Sequence, residues 1–78
     1  MIILEAQAAS YSKTGKEYTD CELNVPKIEV MVLSDTFRFL IKGYEQETSQ
    51  NITVAEFDLN KEQAAVLASI LDALVDRI

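Results

Sequence analysis

The sequence predicts an α+β fold: an antiparallel β-meander of about five strands, with one C-terminal α-helix packed on one face. Two observations carry this. Apolar residues recur with a period of two through most of the chain, and after Asn60 the period lengthens to 3.6. In addition, the two Gly and single Pro of this 78-residue chain fall where turns or strand ends are expected. The length sets one domain, residues 1–78.

Ile2, Leu4, Ala6 and Ala8 share one side of a first strand over residues 2–11. Residues 12–15 form a polar turn, in which Gly15 is free to take positive φ. A second strand over residues 16–25 places Thr19, Cys21, Leu23 and Val25 on one face and Tyr18, Asp20 and Glu22 on the other. The two runs make a hairpin. Pro26 lacks a backbone donor and is expected to end that strand.

Residues 28–33 are rich in β-branched side chains and read as a third strand. Residues 34–36 form a tight turn. A fourth strand over residues 37–42 carries Phe37, Phe39 and Ile41 on one face and Arg38, Leu40 and Lys42 on the other. This second hairpin is the most apolar and belongs at the centre of the sheet. After a polar loop at residues 45–50, residues 52–57 form a fifth strand. Asn60 is a good N-cap, with Gln63 three positions on as in a capping box. Ala64, Leu67, Ile70, Leu71, Leu74 and Ile78 then form one apolar stripe on a helix over residues 61–77. Glu62 in its first turn and Arg77 in its last suit the helix dipole.

Composition removes many functions. Seven Lys and Arg against thirteen Asp and Glu leave a net charge of -6. That balance opposes direct binding of nucleic acid or an anionic membrane, and it suits a protein partner, one of basic character included. No apolar run approaches the roughly 20 residues of a membrane span, and the start of the chain lacks the basic region of a signal peptide. Cys21 has no second Cys to pair with, which fits a reducing cytoplasm.

Without His, the chain cannot build a Ser-His-Asp system or an imidazole metal site, so no catalytic, cofactor or metal residue is assigned and the chain is read as a non-enzyme. Cys21 lies in the inward register of its strand and reads as a structural thiol. Lys13-Thr14-Gly15-Lys16 lacks the first Gly and the following Ser or Thr of a phosphate-binding loop, and reads as a hairpin turn. The pairs Glu56 with Asp58 and Asp72 with Asp76 read as solvated surface carboxylates.

One helix covers one sheet face, so the other should be polar if it meets water. Yet Met31, Leu33, Leu40 and Tyr44, joined by Tyr18, fall opposite to Val30, Val32, Phe37, Phe39 and Ile41. With Arg38 and Lys42 at the rim, Tyr18, Met31, Leu33, Leu40 and Tyr44 form the expected partner interface. Phe37, Phe39 and Phe57 are then expected as core beneath the helix.

Three functions fit. The first is a non-enzymatic protein-interaction module. In size, acidity and lack of catalytic residues the chain is similar to the small accessory and inhibitor proteins of bacteriophages and prophages, a group that includes anti-CRISPR proteins. That resemblance is one of type, and it implies steric blockade of a host enzyme or complex. The second is a nucleic-acid mimic, with Glu45, Glu47, Glu56 and Asp58 as an acidic surface for a basic groove. The third is a homo-oligomeric structural subunit, a dimer in the simplest case, or a small homo-oligomeric enzyme whose site forms between chains; either would bury the second sheet face against itself.

Overall fold

The computed structural model describes residues 1–12 and 20–78. The order of elements is β1 (Ile2–Glu5), β2 (Ser10–Ser12), β3 (Asp20–Glu22), β4 (Asn24–Leu33), β5 (Thr36–Glu45), β6 (Gln50–Asn60) and α1 (Lys61–Val75). Four strands form an antiparallel sheet in the order β1-β4-β5-β6, and β2 and β3 form a separate two-stranded ribbon. The predicted α+β class holds, with one helix among the described residues, after the last strand.

The meander proper is β4-β5-β6. Its first turn, between Leu33 and Thr36, has two central residues, and Ser34 takes φ 55 at the first of them. Primed hairpin turns require positive φ there, because their twist matches that of the flanking strands. Ser49 likewise takes φ 55 just before β6. As expected, β4 and β5 occupy the two central positions.

The N-terminal third departs from the expected hairpin. Residues 2–11 are not one strand. Strand β1 ends at Glu5, and β2 begins only at Ser10, after the segment Ala6 to Ala9. β1 pairs with β4, with Ile2 opposite Val30 and Leu4 opposite Ile28. The hairpin reappears in shorter form as β2-β3, with Tyr11 opposite Cys21. Of its expected turn at residues 12–15, Ser12 ends β2 and the rest lies outside the described residues.

Pro26 does not end a strand; it lies within β4, where the register shifts between Asn24 and Lys27. A bulge is where a residue lacking N–H is tolerated in a sheet. Val25 there takes φ 49, and the Pro26 carbonyl accepts a hydrogen bond from the Ala6 N–H at 2.9 Å. A second shift, between Ile41 and Lys42 of β5, leaves Val54 of β6 as the extra residue.

The capping box forms as predicted. The Asn60 side chain accepts from Gln63 N–H at 2.8 Å, and Gln63 Oε1 accepts from Asn60 N–H at 3.0 Å. Asp76 is the C-cap, so Arg77 lies beyond the last turn instead of within it. No gap separates β6 from α1, which among the described residues meets chiefly the adjacent β6 and β5. None of its side chains is buried; Ala64 and Leu67 come nearest.

Candidate functional site

Cross-strand pairs share a face, so the register defines the two sides of the sheet. An aliphatic face carries the rows Ile2-Val30-Phe39-Phe57, Leu4-Ile28-Ile41-Ala55 and Val32-Phe37-Leu59. The opposite, mixed face carries Glu29-Leu40-Glu56, Met31-Arg38-Asp58 and Lys27-Lys42-Thr53. This is the division of β4 and β5 that their alternation predicted.

The predicted interface residues Met31, Leu33, Arg38, Leu40, Lys42 and Tyr44 therefore lie together on the mixed face, each half-buried. Tyr18 lies outside the described residues. Charge organises this face more than apolar area does. Arg38 grips Asp58 with two hydrogen bonds, Nε to Oδ1 at 2.9 Å and Nη2 to Oδ2 at 3.1 Å, and Nε lies 3.2 Å from Glu56 Oε1. This bidentate contact holds the Asp58 carboxyl below its ordinary range and raises the Arg38 guanidinium further above its own. Diagonally across the β4-β5 ladder, Lys42 Nζ sits 2.9 Å from Glu29 Oε2. Val25, Lys27, Glu29, Lys42, Tyr44 and Asn51 line an open hollow here.

The four predicted acidic residues are not one surface. Glu56 and Asp58 converge on Arg38. Glu45 and Glu47 lie at the other end of β6, about 20 Å away along the strand. Glu45 was expected in a solvated loop; it is instead 6% exposed, at the end of β5, and accepts a hydrogen bond from Thr48 Oγ1 at 2.7 Å. Among the described residues, no group of three or more side chains is placed to ligate a metal. Cys21 is half-buried in β3.

Among the described residues the aliphatic face is covered unevenly, most fully at the end where β5 meets the β2-β3 ribbon. There the β2-β3 ribbon folds over it: Leu23, just after β3, packs on Gly43, and Ala8 to Tyr11 line a hollow with Ile41, Ile52 and Ala55. Leu23 is 5% exposed and is the one buried large hydrophobic among the described residues. At the other end Ile2 is 70% exposed, Val32 68% and Phe57 44%, while Val30, Phe37, Phe39 and Leu59 beside them are half-buried. Phe57 stacks on Phe39 with ring centroids 5.1 Å apart, and its outer side is open.

The expected core beneath the helix is thus only half made. Ile70, Leu71 and Leu74 of the predicted stripe are 50%, 53% and 45% exposed. The stripe signalled that the helix needs an apolar counterpart, and the described residues supply little of it. No helix is long and apolar enough to cross a membrane among the described residues. No protein-family model, curated protein or solved structure matches the chain.

Proposed function

We propose that the chain is a non-enzymatic protein-interaction module whose apolar core is completed by another polypeptide. A single observation carries this: the bare end of the aliphatic face and the stripe of α1 stand open together on one chain. Monomeric proteins rarely expose contiguous apolar patches of this kind, and where they do the patch is a contact surface. Such a module acts by occupying or bridging the surface of its partner, which is how steric blockade works. The mixed face, with Leu40 and Tyr44 among ion pairs, remains free for a second contact.

The test combines hydrodynamic mass with binding of anilinonaphthalene sulfonate, a dye that reports accessible apolar surface. The expected result is either an assembly of chains or a single chain that binds the dye strongly. A single chain that leaves the dye dark would overturn the reading, because its apolar face would then be covered from within.

A further inference from the structure

The two open apolar surfaces match one another. The stripe of α1 runs along 15 residues, or about 22 Å. The four strands it would have to cross span roughly 14–19 Å. Both surfaces are uncharged. The rows around Val32 and Phe57 contain only aliphatic and aromatic residues, as does the stripe of Leu67, Ile70, Leu71 and Leu74. The ion pairs of Arg38 and Lys42 lie on the other side of the sheet.

Surface area points the same way. A compact chain of 8.7 kDa exposes about 4,700 Å². This chain exposes 6436 Å². The excess, roughly 1,700 Å², exceeds the about 800 Å² that each partner gives up in a standard stable interface. The radius of gyration agrees: 14.6 Å here, against about 11.5 Å for a compact chain of this length.

Building on the interaction-module reading, we propose that the occupant is a second copy of this chain. In a two-fold dimer, α1 of each protomer lies across the bare aliphatic end of the other, so that one symmetric contact covers both open surfaces twice. A basic partner would be drawn by the charge of -6, yet it would bring its cations to a surface with nothing to pair them. Two copies repel at long range through their net charge and meet through neutral side chains. Their association therefore tightens as salt screens the repulsion, whereas a basic partner would be released.

Sedimentation of the whole chain tests this. The expected mass is about twice 8.7 kDa at micromolar concentration, with the dimer fraction rising between about 50 and 500 mM salt. The combined change Leu71→Glu and Leu74→Glu should give single chains, and Leu40→Glu on the mixed face should leave the mass unchanged. Should the double variant fail to fold, the wild type decides alone: the thermal midpoint of a dimer rises with protein concentration between about 1 and 100 μM, and that of a monomer does not. A single-chain mass at about 100 μM with a concentration-independent midpoint would overturn the second copy. Strong dye binding by that single chain would leave the interaction reading standing, and a dark dye would remove both. A dimer broken by Leu40→Glu but not by the helix changes would also overturn the proposal.

Discussion

Leu23 occupies the space that a side chain at Gly43 would need: a Cβ built on Gly43 would lie 2.7 Å from the Cβ of Leu23. This contact joins the β2-β3 ribbon to the centre of the sheet. Leu23 N–H also donates to the Ala9 carbonyl at 2.9 Å, which extends the ribbon ladder by one rung. A glycine in the middle of a long central strand weakens it unless another element uses the vacated space, and here Leu23 does.

Gly43→Ala should therefore destabilise the chain by about 1–3 kcal/mol, the usual range for overpacking. Leu23→Ala should cost about 2–5 kcal/mol by opening a cavity. Because the closest atom is the Leu23 Cβ, which Ala keeps, the double variant should not be rescued. Urea denaturation measures all three. A Gly43→Ala variant as stable as the wild type would show that the ribbon does not rest on β5.

Asn60→Ala should cost about 0.5–2 kcal/mol through loss of the N-cap. The helix depends on this cap more than most, because its side chains gain so little from the sheet of its own chain. Far-ultraviolet circular dichroism through a thermal melt would record the loss. A smaller drop is expected for Gln63→Ala, which removes only the reciprocal bond to Asn60 N–H.

The Arg38-Asp58 contact makes stability depend on acid. The Asp58 carboxyl titrates lower in the folded chain than in the unfolded one, because Arg38 hydrogen-bonds its charged form. Its contribution is present above the unfolded value, near pH 4, and is lost as pH falls through the lower folded value. The D58N variant should lie slightly below the wild type in thermal midpoint at neutral pH, and the two should converge in acid. Both side chains are partly exposed, so the gap is small and shrinks with salt. A gap that stays constant into strong acid would assign the difference to packing instead.

Phe57→Leu should retain most of the apolar area of the site and lose the stack on Phe39, at a cost of about 0.5–1.5 kcal/mol. Equilibrium unfolding reads this directly. An unchanged stability would mean that the ring pair contributes no more than its area.

Much of the architecture was legible because it is written at short range. The alternation of residues 28–42 placed Val30, Phe39 and Ile41 on one face and Met31, Arg38 and Leu40 on the other, and the pairing of β4 with β5 reproduces that division. Asn60 and Gln63 marked the helix start through a hydrogen-bond pattern confined to four residues. Pro26 was misread because a missing N–H announces a break in the ladder but does not distinguish a strand end from a bulge. Glu45 was misread because a polar stretch does not reveal that its first member closes a strand and receives Thr48.

The sequence by itself determined the periods, the turns and the capped helix, since each depends on residues within about one turn or one hairpin of each other. Tertiary structure alone decided that β1 joins β4, that Leu23 settles on Gly43, and which apolar end stays bare. Those outcomes come from competition between distant surfaces for the same partners. An apolar stripe records that a face must leave water, and only the assembled sheet shows how much of that covering its own chain provides.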